Sequence, residues 1–554
     1  MKKCSFTVKI VLFCEKQIPG IEVVSVSEKV RKKYNKFFIR RIYPMAKKTA
    51  FLTGASGNMG WASFQEIYNN RPDLDLVVLL RDSEKNRKKF APYLGDKRVR
   101  IVWGDLTNYD SVLECVVGSD YVLHIGGMVS PSADYYPKKC LKTNLTAAQN
   151  IVKAIKAQPN KDEITACYIG TVAETGNRPE PIHWARTGDP LKVSVYDHYA
   201  ISKINAERVF AESGLKKWVS LRQSGILYAN ILKNMDPIMF HVPLNGVLEW
   251  ATIDDSATLM ERICNDNIPD EFYRNFYNIG SGDQYRLTNY EFECYLLGAI
   301  GMCKDAPKKV FEPNWFIDRN FHGQWYADSD LLEHYLHFRH NIPVADYFKK
   351  LATQVEWFYK LAWVATLPGI SHITKFALGQ IAKDKRFGTR TWIKTNNTER
   401  MNAYWGDKES FGMEHWKKLP SKWADTDIHV PSKTPTNLDH GYDESKKLED
   451  LTAAEIQKAA EFRGGEYLES KKPADIYAPV KWRCAFGHEF EMSLNTVLKG
   501  GHWCPECNPM PWNYDAIAKK NPFFAQVWYA DHGKNEDYVH TEEIYRDYDE
   551  YKKK

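Results

Sequence analysis

Short apolar runs alternate with longer segments of helical length through the first half of the chain. Each run is bounded by glycine or by polar turn residues. Strands separated by helix-length segments form a parallel sheet, because the crossover must return the chain to the same end of the sheet. The pattern therefore predicts an α/β fold with a doubly wound parallel sheet. The runs that we assign to its strands are residues 50–52, 74–80, 100–103, 121–125, 166–170 and 221–228.

A glycine-rich turn follows the first of these strands. Gly54, Gly57 and Gly60 lie between the apolar run and a helix-compatible segment, and Asn58 and Met59 fall at the start of that helix. In dinucleotide-binding folds the first glycine permits a sharp turn, the second lets the backbone approach a pyrophosphate, and the third lets the helix pack on the strand. Such spacing also occurs in ordinary turns, but its place between strand and helix favours a Rossmann-type nucleotide site.

A tyrosine and a lysine one helical turn apart, Tyr199 and Lys203, lie far downstream of the glycine turn. Positions four apart share a helix face, so the ammonium group lies beside the phenol. Hydride transfer to a carbonyl leaves an alkoxide that must collect a proton, and a tyrosine with an ordinary pKa of about 10 needs a neighbouring cation to take part near neutral pH. The pair and the glycine turn together indicate a nicotinamide-dependent oxidoreductase. The alternative interpretation of the Tyr199–Lys203 spacing, taken alone, is that both residues lie on an ordinary exposed helix face.

These motifs resemble those of the extended short-chain dehydrogenase/reductase family, from about residue 45 to about residue 360. Asp105 and Leu106 follow the third strand, and Gly126 follows the fourth, where the family often has alanine. The resemblance implies that Asp105 and Leu106 lie at the adenine end of the dinucleotide. It also implies that Gly126 leaves room for the cofactor.

The same resemblance assigns the reacting groups. Thr171, at the end of the strand over residues 166–170, would hold the substrate oxygen by a hydrogen bond. Tyr199 would transfer the proton, and Lys203 would stabilise its phenolate and bind the nicotinamide ribose. Asn144 matches a family asparagine on the preceding helix, although a capping or core role fits it equally well.

The choice between NAD and NADP depends on the residues after the second strand. A carboxylate there would bind the ribose hydroxyls of NAD, whereas a cation would accept the extra phosphate of NADP. Arg81 stands at the strand end, and Lys85 and Lys88 follow in a basic segment. The alternative is that the basic segment is a solvated helix face and that Asp82 is the ribose ligand. We expect NADP, with NAD as the alternative.

A second motif, near the C-terminus, has the composition of a metal site. Cys484 and His488 form one close pair, and Cys504 and Cys507 form another. Two such pairs separated by a moderate loop match the tetrahedral ligand set of structural zinc. Four protein ligands leave no open coordination position, so we expect a structural site. The surrounding pattern resembles zinc-ribbon modules, some of which bind nucleic acid, and the alternative is a metal-free loop.

The length of 554 residues exceeds the roughly 300 that a Rossmann domain with a small α/β substrate lobe requires. We expect cofactor binding to be independent of the zinc module.

Aromatic residues that include Trp315, Trp357 and Trp363 are assigned to the core or to interdomain packing, with an apolar substrate pocket as the alternative. The predicted division is a basic leader over 1–44, the dehydrogenase/reductase domain over 45–362, a helical or irregular linker over 363–450, the zinc module over 451–512 and a tail over 513–554.

The formal net charge of +6 does not indicate a nucleic-acid-binding protein. Residues 1–44 alone carry eleven Lys or Arg and three Glu, so the rest of the chain is slightly acidic. The apolar run in this leader is too short for a signal peptide or a membrane span, and we expect the physiological chain to begin at Met45. Scattered cysteines fit a reducing cytoplasm.

We therefore expect an NAD(P)-dependent dehydrogenase or reductase that interconverts a small-molecule secondary alcohol and a carbonyl. Two alternatives stay open: a nucleotide-sugar epimerase or dehydratase that retains NAD, and a nicotinamide-sensing regulator that uses the zinc module for interactions. The segment after Arg222 lacks the nucleotide-sugar pattern of the family, which favours the first interpretation. A homodimer is left open, nucleic acid is not favoured as a ligand of the zinc module, and no membrane is expected.

Overall fold

The computed structural model describes residues 47–233, 235–406, 419–507, 514–534 and 536. The basic leader over residues 1–44 and most of the charged end of the tail therefore lie outside the described residues. Residues 49–554 form one compact unit. Among the described residues, no helix combines the length and the apolar composition needed to cross a bilayer.

Strands and helices alternate through the first half of the chain, and helices predominate in its middle. The strands are β1 Lys48–Thr53, β2 Leu74–Leu80, β3 Val99–Trp103, β4 Tyr121–His124, β5 Thr165–Thr171, β6 Trp184–Ala185, β7 Trp218–Gln223, β8 Ile226–Leu227, β9 Val247–Glu249, β10 Ala251–Thr252, β11 Asn275–Ile279, β12 Arg286–Thr288, β13 Trp325–Tyr326, β14 Glu466–Tyr467, β15 Pro479–Arg483 and β16 Glu489–Ser493. The α-helices are α1 Asn58–Asn70, α2 Glu84–Phe90, α3 Tyr109–Val116, α4 Ser132–Tyr135, α5 Pro137–Lys156, α6 His198–Ala211, α7 Ile253–Ile263, α8 Asn289–Ala299, α9 Ala306–Val310, α10 Ser329–Leu336, α11 Val344–Thr353, α12 Ile370–Ile381, α13 Thr389–Lys394, α14 Thr398–Trp405, α15 Ala453–Phe462, α16 Tyr514–Lys520 and α17 Pro522–Trp528.

Seven strands form one parallel sheet in the order β11-β7-β5-β4-β1-β2-β3, which confirms the predicted fold class. The strand order reverses between β1 and β4, and ligands of open α/β sheets bind beyond the carboxyl ends of the strands at such a point. Thr53 at the end of β1 pairs with His124 at the end of β4. Thr171 at the end of β5 pairs with Gln223 at the end of β7. One edge of the sheet therefore carries both the glycine turn and Thr171.

Helices cover both faces of the sheet, because successive residues of a strand point to opposite sides. Leu52 belongs to the core beneath α1 and α7, whereas its neighbour Phe51 belongs to the core beneath α5 and α6. The central strands are therefore apolar on both faces, which explains why their sequence reads as continuous apolar runs.

The described part of the C-terminal module packs directly on helix α6. Ten of the fourteen residues of this helix are buried. Ile201 and Ile204 share a core cluster with Trp482 and Trp503 of the module. Glu212, at the end of the helix, accepts hydrogen bonds from the backbone N–H and the hydroxyl of Ser493. The structure thus joins what the sequence treats as separate modules.

The segment assigned to a linker, residues 363–450, carries helices α12 to α14 in its described part. The Thr389 hydroxyl donates a 2.6 Å hydrogen bond to the carbonyl of Trp315, which fixes α13 to the substrate lobe. Trp315 is buried, as expected for a core aromatic residue. Trp357 and Trp363 are exposed, so their assignment to a core is wrong.

The glycine turn lies against the segment after β4 with no space for side chains. Gly54 has a φ of 68°, and a Cβ atom on it would lie 2.6 Å from the Cα atom of Gly126. A Cβ atom on Gly126 would lie 2.8 Å from the Gly54 nitrogen, and one on Gly60 would overlap the Gly54 carbonyl. A side chain at position 126 therefore does not fit, because the two backbones touch here.

Gly126→Ala is expected to destabilise the sheet by about 1–3 kcal/mol, because backbone atoms of the glycine turn must move to admit the methyl group. Gly298→Ala is the matched control, since it adds a methyl group to helix α8 with no atom within 4 Å. The control is expected to be neutral or stabilising. Calorimetric Tm values measure both, and an unchanged Tm for Gly126→Ala would contradict the close approach.

Candidate active site and metal centre

The glycine turn ends in a helix N-terminus that is open to an anion. Gly57 donates a 2.9 Å hydrogen bond to the Gly54 carbonyl and closes the turn. Helix α1 then begins at Asn58, with no side-chain cap and no acidic residue in its first turn, and Met59 is buried beneath it. Unpaired N–H groups and the positive end of the helix dipole suit a pyrophosphate. The residues present fit a dinucleotide at this place.

Arg81 is the better placed of the two candidates for cofactor choice. Asp82 accepts two hydrogen bonds from Arg87, at 2.6 and 2.7 Å, so its carboxylate is already paired. The side chain of Arg81 is exposed and makes no ion pair or hydrogen bond within the described part of the chain. Arg81 also contributes to lowering the pKa of Asp105, so both lie at the same end of the sheet.

Lys89 is a basic residue at the glycine turn that sequence reasoning missed. Its ammonium donates a 3.0 Å hydrogen bond to the Ser56 carbonyl and lies 4.2 Å from the ring centroid of Trp61. Burial and the nearby charge of Lys85 lower the pKa of Lys89. Lys89 follows Lys85 by four residues on helix α2. This spacing places both on one helix face and was the sequence signal that could have identified Lys89. Lys88 is exposed and has no comparable contact with the turn.

The other predicted cofactor residues lie near the same crevice. Asp105 is exposed, and its Oδ1 accepts hydrogen bonds from the backbone N–H and the hydroxyl of Thr107. Leu106 packs on the core beneath α5, and its carbonyl accepts a hydrogen bond from Asn150. The contact of Asp105 with adenine stays a prediction.

Thr171 and Tyr199 are brought together at the carboxyl edge of the sheet. Burial raises the pKa of the Tyr199 phenol above its ordinary value, and the Thr171 side chain opposes this shift. The Thr171 oxygen also accepts a hydrogen bond from the backbone N–H of Ala173. A phenol that keeps its proton near neutral pH can donate it to a developing alkoxide.

Lys203 lies one turn further along helix α6. Its Nζ atom lies 4.4 Å from the ring centroid of Tyr168, and it is 4 % exposed. Burial lowers the pKa of Lys203 to about 8, although Glu174 and Glu207 oppose the shift. The amine is therefore close to changing charge near neutral pH, a property that catalytic lysines share.

Asn144 supports the site without facing it. Its Oδ1 accepts a 2.7 Å hydrogen bond from the Met128 N–H, and its Nδ2 donates to the Met128 carbonyl and to the Ser202 hydroxyl. A Cβ atom on Gly127 would lie 3.0 Å from the Asn144 oxygen. These contacts support a core role, in which Asn144 fastens the segment after β4 to helices α5 and α6.

A buried ion network lies behind the reacting groups, and sequence reasoning missed it. Glu207 accepts hydrogen bonds from Arg222 at 2.7 and 3.1 Å. Arg222 also lies 3.1 Å from Glu174, and Glu174 accepts a hydrogen bond from the Thr171 N–H. Glu207 follows Lys203 by four residues, so the run of Tyr199, Lys203 and Glu207 along one helix face was the available signal.

The C-terminal module closes this network. His502 Nε2 donates a 2.8 Å hydrogen bond to Glu207, and the Gly500 carbonyl accepts a 2.6 Å hydrogen bond from Arg222. Arg222 and His502 hold the pKa of Glu207 below its usual range against the effect of burial. Burial and the charge of Glu207 raise the pKa of Glu174. Two residues of the module therefore contact the ion network directly.

Two cavities meet beside the start of helix α6, and both are lined by Phe321 and His322. The smaller has a volume of about 50 Å³ and a mixed polar and apolar lining. Asp134 lines it, and burial raises the pKa of this carboxyl to about 8. His322 Nδ1 lies 3.1 Å from Asp197, which caps helix α6 two residues before Tyr199. The smaller cavity therefore lies at the N-terminal end of helix α6.

The larger cavity, of about 220 Å³, is mostly apolar. Trp250 and Phe292 line it and stack on each other with ring centroids 4.2 Å apart. Gly225, two residues beyond the end of β7, also lines it. Glu293 lines it as well, and its Oε2 atom has no hydrogen-bond partner within the described chain. Burial raises the pKa of Glu293 to about 8.

The four predicted metal ligands converge at the C-terminal module. Their ligand atoms lie within 4.8 Å of one another. The sulfur atoms of Cys484 and Cys507 are 3.8 Å apart, and His488 Nδ1 lies 3.3 Å from Cys507 and 3.6 Å from Cys504. A tetrahedral zinc ion about 2.3 Å from each sulfur requires sulfur separations of about this size. The donor set therefore fits zinc, with no fifth ligand needed.

Comparison with known proteins gives one family match and several partial relatives. Residues 54–231 match a family described as NAD(P)H-binding. The UDP-glucose 4-epimerase of Rickettsia bellii (strain RML369-C) is 27% identical over 110 residues, which are 19% of this chain and 32% of the relative. That of Rickettsia canadensis (strain McKiel) is 28% identical over 110 residues, with the same coverage. The match thus spans about a third of the length of these curated relatives.

Solved structures also show partial similarity to this chain. The dTDP-glucose 4,6-dehydratase of Bacillus anthracis, in complex with NAD, has a TM-score of 0.45 and 13% identity and covers 56% of this chain and 97% of that one. The UDP-glucose 4-epimerase of Thermus thermophilus, in complex with NAD, has a TM-score of 0.42 and 17% identity and covers 55% of this chain and 98% of that one.

Arg81→Ala is expected to weaken NADP binding about 10–100-fold, because only NADP presents the phosphate that a guanidinium can bind. NAD binding should change little. Lys88→Ala, an exposed substitution in the same basic segment, is the control. Fluorescence titration of each variant with NAD and with NADP measures the four dissociation constants. Equal losses of NAD and NADP affinity in Arg81→Ala would show that Arg81 does not select the cofactor.

The purified chain is expected to carry about one zinc ion, which Cys507→Ser should release. Because His502 and Gly500 bond Glu207 and Arg222, loss of the metal should also lower the Tm of the sheet, contrary to the independence expected from sequence. Cys294→Ser, at a half-buried cysteine outside the cluster, is the control. Elemental analysis measures the zinc content, and calorimetry measures the Tm. Zinc-free protein prepared without chelators would exclude the metal, and an unchanged Tm in Cys507→Ser would exclude the coupling.

Proposed function

We propose that the protein is an NAD(P)-dependent oxidoreductase that interconverts a secondary alcohol and a carbonyl, since residues 54–231 match a family described as NAD(P)H-binding. The observation that supports this most directly is the influence of Thr171 on the buried Tyr199 phenol, with Lys203 one helical turn away on the same helix. All three lie at the carboxyl edge of the sheet, where the glycine turn also lies.

Each group has a distinct part in the proposed reaction. The bound nicotinamide supplies or accepts the hydride. Thr171 holds the substrate oxygen, and Tyr199 gives its proton to that oxygen during reduction or removes it during oxidation. Lys203 stabilises the phenolate electrostatically and holds the nicotinamide ribose. Burial of the two titrating groups strengthens these interactions, since water does not screen them.

The cofactor that the site favours is NADP. The Arg81 side chain is exposed just after β2, and the ammonium of Lys89 bonds the Ser56 carbonyl in the glycine turn, whereas Asp82 is paired with Arg87. A phosphorylated ribose suits this charge better than an unphosphorylated one. We assign a structural role to zinc, which would hold the segment that carries Gly500 and His502 against helix α6.

The larger cavity supports a compact, mainly apolar carbonyl substrate. A diphosphate group needs cations, and neither lysine nor arginine is found among the described residues that line this cavity. Glu293 is the buried acid there, and its protonated form can donate a hydrogen bond to an uncharged ligand. A phosphate beside a buried carboxyl group would be unfavourable.

A nucleotide-sugar epimerase or dehydratase that retains NAD is the second candidate, and the names of the partial relatives favour it. The two candidates differ in the fate of the cofactor. Tightly retained NAD in the purified protein supports the epimerase or dehydratase, whereas exchangeable NADPH supports the reductase. A regulator that only senses nicotinamide has no need of Thr171, Tyr199 and Lys203 in one place.

Tyr199→Phe is expected to lower kcat about 10²–10⁴-fold with little change in cofactor affinity, because only the proton donor is lost. Tyr109→Phe, on helix α3, removes a hydroxyl outside the site and is the control. Reduction of a panel of ketones by NADPH, followed by absorbance, measures kcat. Normal turnover by Tyr199→Phe on a substrate of the wild-type enzyme would exclude this mechanism.

A further inference from the structure

Exposed apolar side chains are concentrated in one short segment of the substrate lobe, residues 357–376, which we call the apolar surface segment. Trp357, Ile373 and Phe376 are each about 70 % exposed, at 73 %, 68 % and 69 %. Only six other large apolar side chains of the described chain are exposed, and they are scattered. The remaining exposed apolar residues of the segment are Phe358, Leu361, Trp363, Leu367 and Ile370.

The segment is held on the lobe by its other side. It comprises a 3-10 helix over Trp357–Thr366 and most of helix α12. Tyr359 and Leu378 pack on the core of the lobe, and Gly379 lets the ring of Trp315 approach the helix. Helix α12 is therefore apolar on the side that faces the protein and on the side that faces outward. A cluster of exposed apolar side chains commonly marks an interaction surface.

We propose that the apolar surface segment binds the surface of an anionic lipid bilayer. The only charged residues in it are Lys360 and Lys375, and it contains no Asp or Glu. Cations attract anionic headgroups, and exposed Trp rings prefer the interface between headgroups and acyl chains. Lys383 extends the positive charge beyond the segment and lies 5.9 Å from the ring centroid of Phe376.

The geometry of the segment favours lying in the interface over spanning the bilayer. Its helices have 10 and 12 residues, whereas a span needs about 20. An interfacial helix needs neither a signal peptide nor a long apolar run. The expectation of no membrane rested on the lack of a signal peptide and of a long apolar run, so it does not apply to an interfacial helix. Membrane contact does not depend on the proposed reaction, since no residue of the segment belongs to the reacting groups.

Co-sedimentation of the full chain with vesicles tests the proposal. One set is made of phosphatidylcholine alone, and the other of phosphatidylcholine mixed with phosphatidylglycerol. The double variant Ile373→Ser/Phe376→Ser should lower the partition coefficient on the anionic vesicles by about tenfold or more, since two large apolar contacts are lost. Leu94→Ser, at an exposed apolar residue elsewhere, is the control and should bind as the wild type does. Circular dichroism and light scattering monitor the fold and the oligomeric state.

Three results support the proposal together: binding to the anionic vesicles, weaker binding to phosphatidylcholine alone, and loss of binding in the double variant only. Failure of the wild-type chain to bind the anionic vesicles would overturn it. Equal binding by the double variant would also overturn it. A wild-type dimer that does not bind vesicles, and that the double variant dissociates, would show that the segment is an interface between two copies.

Discussion

The buried ion network around Glu207 and Arg222 is the interaction on which the catalytic end of the molecule depends. Two carboxylates and a guanidinium lie there out of contact with water, with Lys203 nearby. Burial of such groups is costly unless each has a partner, and loss of one partner commonly costs about 3–5 kcal/mol. The network therefore requires β5, β7 and helix α6 to keep their relative positions. Glu174 extends this requirement to Thr171, through the hydrogen bond from the Thr171 N–H.

The same network links the C-terminal module to the Rossmann-type sheet. Residues 500–507 carry two contacts to the network and two of the four metal ligands. A short segment with little regular structure needs an external constraint to hold its backbone, and a tetrahedral metal supplies one. A bound metal would then act on the proposed reaction indirectly. It would hold His502 and Gly500 in the positions where they hydrogen-bond to Glu207 and Arg222. This accounts for a structural site close to the catalytic helix.

The substrate lobe combines an apolar cavity with an apolar outer surface. Trp250 and Phe292 line the cavity, and Phe292 belongs to the same core on which Tyr359 and Leu378 pack. An apolar carbonyl compound would partition into a bilayer, so an enzyme that rests on the lipid surface would meet its substrate where that substrate is concentrated. The two proposals rest on separate observations and are compatible with each other.

The sequence by itself determined the parallel sheet and the glycine turn, and its spacing predicted that Cys484, His488, Cys504 and Cys507 would cluster, as they do. The roles of Tyr199 and Lys203 stay predictions from their spacing. Tertiary structure alone decided what meets across long separations. The contact of His502 with Glu207 joins residues 295 positions apart. The exposure of Trp357 and the close approach of Gly54 to Gly126 likewise depend on how elements pack. Local periodicity indicates which side of a helix or strand is apolar. It does not indicate which other element covers that side, because this depends on tertiary packing.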